Sequence, residues 1–255
     1  MTNDTPAEIV LRQLGITEPQ EIDLEAIAWH LGARIRYRPL ERCEARILGS
    51  GDRAVITVNA RGSRRRKRFS IGHELGHWHH HRGHMLFCQK EDIGRAAFRG
   101  LSPERVADRF ASDLLMPDYL FRPIARRFPR FDFGAVEKIA DNFDTSRTAT
   151  AIRLVEAKYF VGCVVCHGPQ GRKWFTLSPE VPDRWFPRQD LSSESFAFNI
   201  LFGSAEEDRF PRKVGANAWF DRWEAERYEV HEQTIRVGDA EILTLVRIDD
   251  PAMLQ

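Results

Sequence analysis

The pentapeptide from His73 to His77 has the sequence H-E-L-G-H, which matches H-E-x-x-H and restricts how the surrounding chain can fold. Residues four apart share one face of an α-helix, so the two imidazoles could bind one metal ion if this segment is helical. Glu74 lies about 100° further round the helix axis and could reach a water molecule on that metal without being a ligand. The motif therefore predicts a helix that carries a metal site and a general base.

The flanking sequence favours this interpretation over a simpler one. Further histidines follow the motif, so a solvated, histidine-rich helix face could also explain it. Apolar residues at near-helical spacing favour a half-buried amphipathic helix, with Ser70 near its start. Gly76 should cost about 1 kcal/mol relative to alanine, which predicts close approach of another backbone or of the metal site. The apolar residues are Phe69, Ile71, Leu75 and Trp78.

A catalytic zinc ion has three protein ligands and one open position, so a third ligand must come from elsewhere in the chain. Ser102 and Pro103 suit an N-cap and a first helical position, which places Glu104 in the first turn of a second helix. The helix dipole there favours the ionised carboxylate that zinc requires, but an ordinary helix-start acid would look the same. Asp108, one turn later, could accept a hydrogen bond from a ligating histidine. His81 is the alternative third ligand, or a residue that supports the ligands.

The two segments resemble those of the ImmA/IrrE metallopeptidases. In that family R-F-x-x-A-H-E-L-G-H is followed by E-x-x-A-N-x-F-A-x-x-L-L-M-P, and residues 68–77 and 104–117 of this chain are similar at a similar separation. The resemblance implies a compact α+β domain of the zincin type, with one catalytic Zn²⁺ ion.

By this resemblance the zinc ligands are His73, His77 and Glu104, and the catalytic base is Glu74. The chain departs from the family pattern at two positions. Gly72 stands where alanine is usual, which is a mild change. Asp108 stands where asparagine is usual, which replaces a neutral partner of a ligand by a possible anion and could alter zinc affinity.

The overall charge restricts the class of protein. The chain has 38 Lys+Arg and 37 Asp+Glu, so its net charge of +1 gives no general argument for a nucleic-acid or membrane partner. No apolar run is long enough for a membrane span, and the polar N-terminus is unlike a secretory signal. We therefore expect a soluble cytoplasmic protein.

Four cysteines do not make a disulfide framework in 255 residues. The C-x-x-C-H segment from Cys163 to His167 matches the attachment motif of c-type haem, but its apolar surroundings favour a buried strand. Cys88 lies between the two motif segments and could be near the zinc, although a buried structural thiol is favoured.

The predicted elements divide the chain into a metallopeptidase domain (1–122), a helical linker (123–158) and a GAF-like sensor or interaction domain (159–255). In the first region we expect two helices, a small antiparallel sheet and then the motif helix. The last strand of that sheet, residues 55–58, would pair with an extended substrate or lie beside the strand that does. The predicted helices are residues 7–14 and 24–31, and the predicted strands are 34–37, 45–48 and 54–58.

Two features raise the question of direct DNA binding. The basic run 64–68 could neutralise phosphates, but its position favours a solvated helix entry, with acidic substrate or domain contacts as a further possibility. Residues 133–157 predict two helices shaped like a helix-turn-helix, yet acidic residues outnumber basic ones there. A linker or docking pair is therefore favoured over DNA binding.

The C-terminal region has the pattern of an α+β or mostly β domain. Its layout is similar to the GAF-like domain that some IrrE-type relatives carry, and such domains often bind small molecules. The aromatic residues of 219–223 are expected in the core first and around a ligand second. The predicted strands are 160–165, 173–177, 229–236 and 241–248, the last two joined by a turn at Gly238-Asp239.

The leading functional expectation is a zinc endopeptidase that cuts one or a few proteins. The resemblance implies a helix-turn-helix transcriptional repressor as substrate, cleaved to release stress-response or mobile-element genes. The alternative is a non-proteolytic regulator whose zinc is structural or absent and whose C-terminal region binds a ligand or partner. A fourth protein ligand, such as Cys88 or His81, would favour the regulator. Candidates for stabilising the oxyanion are His79, His80, His81 and Tyr119.

Overall fold

The computed structural model describes residues 4–80, 102–238 and 240–255, which contain eight α-helices and eight strands in two sheets. This confirms the α+β class. The chain divides into unit 1, Met1–Arg127 with Ile139–Ser146, and unit 2, Phe128–Lys138 with Arg147–Gln255. The expected domain limits at residues 122 and 158 stay a prediction. None of the described helices is long and apolar enough to cross a bilayer.

One buried carboxylate connects the starts of two helices in unit 1. Helix α1 (Pro6–Gln13) begins with a capping box, in which Glu8 accepts a hydrogen bond from the Thr5 amide at 2.8 Å. The other oxygen of Glu8 accepts one from the Asp118 amide at 2.7 Å, at the first residue of helix α5 (Asp118–Ala125). Helix ends have amides without intrahelical partners, so this single side chain satisfies donors of both helices.

The sheet of unit 1 differs from the expected antiparallel one. Its strands are β1 (Ala33–Arg38), β2 (Ala45–Ser50) and β3 (Arg53–Asn59), in the order β1-β3-β2. Strand β2 is antiparallel to β3, but β1 is parallel to it, because the chain between β1 and β2 crosses to the other side of β3. The central strand β3 has hydrogen-bonded neighbours on both sides, so the expectation that it receives a substrate itself is wrong. It lies beside both edge strands.

Helix α2 (Leu24–His30) and helix α3 (Arg64–His80) cover one face of this sheet. The Trp78 ring packs against Gly49 of β2 so closely that no Cβ would fit there. Its indole N–H donates to the Leu31 carbonyl at 2.7 Å. These contacts fix the end of α3 against the β2 edge.

Helices α6 (Phe133–Phe143) and α7 (Arg147–Glu156) confirm that residues 133–157 form two helices with a short turn. The first half of α6 belongs to unit 2 and its second half to unit 1, whereas α7 belongs to unit 2. A recognition helix must offer an exposed face to the DNA groove. Glu156 is the one exposed residue of α7, so this helix is poorly suited to that role.

Unit 2 is built on an antiparallel sheet of five strands in the order β5-β4-β8-β7-β6. Its core contains Trp185, Trp219 and Phe220, whereas Trp223 is 66% exposed, so the aromatic stretch is partly core as expected. Besides α7 and the first half of α6, unit 2 contains β4 (Gly162–Gly168), β5 (Gly171–Leu177), α8 (Phe196–Phe202), β6 (Arg212–Gly215), β7 (Glu229–Arg236) and β8 (Ile242–Arg247). Asp239, in the expected turn, lies outside the described residues.

The C-x-x-C-H segment forms β4, which is buried at every position, as the favoured interpretation predicted. Residues three apart on a strand point to opposite faces, so Cys163 and Cys166 cannot hold one group together. Burial raises the pKa of the Cys166 thiol to about 12, so the thiol is unreactive. The segment therefore supplies core packing rather than a haem attachment site.

We expect the substitution His167→Phe to make unit 2 more tolerant of acid. His167 is 1% exposed, packs edge-on against Trp219, and has its pKa lowered by burial from 6.5 to about 4. The unfolded chain binds the proton more tightly, so the neutral histidine's stabilisation is complete above pH 6.5 and is lost as the pH falls towards 4. The difference is on the order of 3 kcal/mol.

This expectation can be measured by urea unfolding at pH 7.5 and pH 4.5, followed by tryptophan fluorescence. The free energy of unfolding should fall further with acid in the wild-type protein than in the variant. An equal fall in the free energy of unfolding of both proteins would show that His167 does not cause the acid sensitivity.

Candidate metal centre

The motif helix begins earlier than expected. Helix α3 starts at Arg64, and Ser63 caps it, because the Ser63 hydroxyl accepts from the Arg66 amide at 3.3 Å and its carbonyl accepts from the Lys67 amide at 2.9 Å. Ser70, which we expected near the start, lies in the middle of the helix and is buried. The basic run is therefore the entry to the helix, as expected, and it forms the first turn of the helix itself.

Acidic residues of unit 1 partly neutralise this basic run. Arg64 Nε lies 2.6 Å from Asp144 Oδ2, and an Arg65 nitrogen lies 2.5 Å from Asp141 Oδ1. Arg68 Nε is 3.6 Å from the same Asp144 oxygen. Positive side chains at a helix N-terminus oppose the helix dipole, so the two carboxylates relieve that repulsion. Contact with acidic groups, one possibility from the sequence, is thus made within the chain itself.

Helix α3 packs against helix α4 (Pro103–Leu115) at very short range. A Cβ added at Gly76 would lie 2.8 Å from the Cα and 2.9 Å from the carbonyl oxygen of Ala107. A Cβ at Gly72 would lie 3.2 Å from both Cα and Cβ of Ala111. Gly76 therefore has the close backbone neighbour that its presence in a helix predicted. This packing places α4 directly opposite the motif histidines.

The N-terminus of α4 has the predicted structure. The Ser102 side chain caps the helix by accepting from the Arg105 amide, Pro103 is its first residue, and Glu104 lies in the first turn. The Glu104 carboxylate faces both motif histidines. Its Oε2 is 3.2 Å from His73 Nε2, and its Oε1 is 3.4 Å from His77 Nε2.

The geometry of these three side chains fits a metal ion. The two imidazole Nε2 atoms are 3.0 Å apart, and one donor atom from each of the three residues can be chosen within 4.8 Å of the others. Ligands of a tetrahedral zinc ion lie about 2.0–2.2 Å from it, which separates them by roughly 3.3 Å or slightly more. In the part of the chain that the structure describes, this is the one group of metal-binding side chains.

Asp108 is placed to orient one of the histidines. Its Oδ1 lies 2.9 Å from His73 Nδ1, on the far side of the ring from Glu104. Burial lowers the pKa of His73, but the hydrogen bond and the charge of Asp108 outweigh it and raise that pKa overall. With its proton on Nδ1, His73 directs the Nε2 lone pair towards His77 and Glu104, as a ligand must.

Glu74 occupies a different environment from Glu104. It is 0% exposed, and neither carboxylate oxygen has a hydrogen-bond partner among the described residues. Burial, with a smaller contribution from the charge of Glu104, raises the pKa of Glu74 to about 7. A carboxyl group with this pKa can accept and return a proton near neutral pH.

Every residue from Ser70 to Trp78 is buried, so this part of α3 is not the half-buried amphipathic helix that we expected. The polar side that would otherwise face solvent is covered by α4. The sequence did hold a signal for this arrangement. Small residues four apart occur in both motifs, as Gly72 and Gly76 in one and Ala107 and Ala111 in the other.

The other candidate residues are placed as follows. The rings of His79 and His80 pack against Phe110 of α4, with centroids 5.1 and 5.7 Å from its ring. The Tyr119 hydroxyl donates to the Ile16 carbonyl at 2.8 Å, so its proton is already used and it is a poor oxyanion donor. His81 and Cys88 lie outside the described residues.

Comparison with known proteins identifies the family. The model of a peptidase family described as the IrrE N-terminal-like domain matches residues 28–155, which is half of the chain. The chain belongs to this family. The match confirms the resemblance seen in the two motifs. No curated protein matches the chain.

The IrrE N-terminal-like family is one of metallopeptidases, so the chain has a protease-type function, a metal cofactor and a protein substrate. Among solved structures, a Mycobacterium tuberculosis transcriptional regulator is similar, with a TM-score of 0.62 and 14% identity. The similarity covers 97% of this chain and 75% of that one. At this identity it shows a shared fold.

We expect Gly76→Ala to weaken zinc binding by about tenfold or more, because overpacking of this kind typically costs 1–3 kcal/mol. The added methyl group would meet the Ala107 backbone and force α4, with Glu104, away from the histidines. Gly72→Ala is the matched control. Its methyl group needs a shift of only a few tenths of an ångström, and its effect should be much smaller.

Zinc affinity can be measured by competition with a chromophoric chelator, alongside the thermal stability of the metal-free proteins. If Gly76→Ala bound zinc as tightly as Gly72→Ala, the close helix contact would not position the third ligand.

Proposed function

We propose that the protein is a zinc endopeptidase in which His73, His77 and Glu104 bind one catalytic zinc ion and Glu74 is the general base. The proposal rests on two carboxylates that lie at one site in different environments. Glu104 faces both imidazoles, whereas Glu74 is buried beside them without a hydrogen-bond partner among the described residues. A closed structural site would have no use for such a carboxyl group.

The chemistry would divide among these residues as follows. A bound zinc ion would lower the pKa of a water molecule towards 7 and polarise a peptide carbonyl. Glu74 takes the proton from the attacking water at its carboxylate and then returns it to the leaving amine. Burial raises the pKa of Glu74, which favours the return of the proton in the second step. Asp108 keeps His73 in the tautomer that leaves Nε2 available.

Strand β2 is the favoured place for an extended substrate. It is one of the two edge strands of the unit 1 sheet, and it packs against the C-terminal end of α3 through Gly49 and Trp78. Leu48 on this strand is 65% exposed. A peptide that added a strand beside β2 would run along the edge nearest to the motif helix, with main-chain hydrogen bonds giving affinity.

We further propose that the substrate is a helix-turn-helix transcriptional repressor, whose cleavage releases stress-response or mobile-element genes. The family resemblance supports this class of substrate. The similar M. tuberculosis protein is itself described as a transcriptional regulator, which supports a role in transcription control. A peptidase that cleaves a repressor must share its compartment, so we propose that the protein acts in the cytoplasm.

The alternative function is a non-proteolytic regulator that acts through its C-terminal region. An open cavity of about 640 Å³ in unit 2 favours it, because this cavity could admit a small molecule. The cavity is lined by acidic and basic side chains, among them Glu137, Arg147, Glu207, Arg209 and Arg236. If unit 2 is a GAF-like sensor, such a ligand could also control the peptidase rather than replace it.

One experiment separates the two functions. The purified protein would be incubated with helix-turn-helix repressors encoded near its gene, with added zinc and with a chelator, and the products analysed by mass spectrometry. The proposal requires cleavage at a defined bond that the chelator abolishes. Intact repressor under every metal condition would support the regulator.

We expect Glu74→Gln to abolish cleavage while zinc is still bound, because the amide keeps the shape of the side chain but cannot accept the proton. We expect His77→Ala to lose zinc as well as activity. Bound metal would be measured by atomic emission, and cleavage by the repressor assay. Cleavage by Glu74→Gln would remove Glu74 as the base, and normal zinc content in His77→Ala would remove His77 as a ligand.

We expect Asp108→Ala to lower zinc affinity by about 10- to 100-fold, since the loss of a ligand's hydrogen-bond partner typically has this effect. Asp108→Asn, which restores the residue usual in the family, keeps an acceptor oxygen and should lose much less. Chelator competition measures both variants. Equal affinities of Asp108→Ala and the wild type would show that Asp108 does not support the site.

A further inference from the structure

Among the described residues, helices cover one face of the three-stranded sheet of unit 1, and no helix covers the other face. Side chains alternate between the two faces along each strand, and Ala33, Ala54, Ile56 and Val58 are buried on the covered face. Five exposed arginines lie on the other face, which we call the arginine face. They are Arg34, Arg36 and Arg38 on β1, Arg46 on β2 and Arg53 on β3.

The strand register concentrates these charges. Arg36 and Arg46 flank Thr57 in one cross-strand row, and Arg34 and Arg38 lie two residues to either side of Arg36. From sheet geometry, the Cα atoms of Arg36 and Arg46 are about 10 Å apart, and those of Arg34 and Arg36 about 7 Å. The Debye length at physiological salt is about 8 Å, so neighbouring charges on this face reinforce one another.

The five guanidinium groups have no ion-pair partner within residues 4–80, 102–238 and 240–255. Arg34 makes a cation–π contact with the exposed ring of Trp29, at 4.8 Å from its centroid. Glu44 precedes β2 on the outer side by its register, at one end of the face. The arginine face is therefore a concentration of positive charge on a chain whose net charge is only +1.

The chemistry of this face fits phosphate groups better than a protein partner. All five basic residues are arginines, whose planar guanidinium forks match phosphate oxygens. A protein partner would need an acidic group for each arginine, and acidic residues are depleted in protein interfaces. The middle of the face is formed by Val55 and Thr57, which offer no aromatic platform for unpaired bases. A regular double-stranded backbone suits it better than a single strand.

We propose that the arginine face binds the phosphate backbone of double-stranded DNA, without reading its sequence. The expectation against direct DNA binding rested on the basic run 64–68 and on helices α6 and α7. Neither belongs to this face, and in the former Arg64, Arg65 and Arg68 pair with Asp141 and Asp144. DNA binding by the sheet does not depend on the identity of the peptidase substrate. It would hold the protein on DNA, where regulators of transcription are found.

The proposal can be tested by fluorescence anisotropy with the full chain and a labelled 24-base-pair duplex of arbitrary sequence, between 50 and 200 mM salt. Five phosphate contacts give a slope of log K against log salt of about −4.5, so affinity should fall roughly 500-fold over this range. A second duplex of unrelated sequence should bind equally well. A single strand of the same length should bind more weakly.

The test variant is Arg36→Gln with Arg46→Gln, which removes two charges from the middle of the arginine face. It should lower the magnitude of the slope by about 2, with a loss of affinity at 50 mM salt of tenfold or more. The matched control is Arg126→Gln with Arg127→Gln, two exposed arginines of unit 1 that lie outside the sheet. Unchanged thermal stability and zinc binding would show that both variants are folded.

Three outcomes would overturn the proposal. The first is no binding to the duplex at 50 mM salt, which would leave the arginines with a role in protecting the edge strand from aggregation. The second is an equal change of slope in the control variant. The third is competition by polyglutamate of equal charge that is as strong as competition by unlabelled duplex, which would indicate an acidic protein partner.

Discussion

The site depends on the contact between helices α3 and α4, where glycines of one helix lie against small residues of the other. Gly72 and Gly76 on α3 face Ala107 and Ala111 on α4, and each pair is spaced by four residues. His73 and His77 come directly after the two glycines and Asp108 directly after Ala107, and Glu104 lies one turn before Asp108. The spacing that allows close packing is therefore the same spacing that brings Glu104 and Asp108 to the histidines, and one contact determines both stability and ligand geometry.

Helix α3 joins two opposite environments in seventeen residues. Its first part is charged and paired with Asp141 and Asp144, whereas every residue from Ser70 to Trp78 is buried. Two imidazoles and a carboxyl group in that buried part would be costly without partners. Asp108 and Glu104 contact both ring nitrogens of His73, and Glu104 contacts Nε2 of His77, but Glu74 is left with a pKa raised to about 7. The energetic cost of burying Glu74 is what gives it a pKa suited to proton transfer.

The sequence was informative where structure depends on neighbours along the chain. The motif spacing predicted that both histidines lie on one helix. The pair Ser102-Pro103 predicted the start of α4, with Glu104 in its first turn. The prediction of a fully antiparallel sheet was wrong, because the pairing of distant strands leaves no local pattern in the sequence: β1 is parallel to β3. The start of α3 was also misplaced: Ser70 was expected near it, whereas Ser63 caps the helix and the basic run 64–68 forms its first turn.

The distribution of charge on the surface also could not be predicted from the sequence. The most conspicuous basic segment of the sequence, residues 64–68, is partly neutralised by acids of its own unit. The five arginines of β1, β2 and β3 are spread over residues 34–53 and do not form a continuous basic run. Strand alternation places them on one face, and the order β1-β3-β2 sets Arg36 and Arg46 either side of one central strand. Net charge and basic runs therefore do not determine the electrostatic surface of this protein, because strand pairing decides which charges meet an opposite charge and which accumulate.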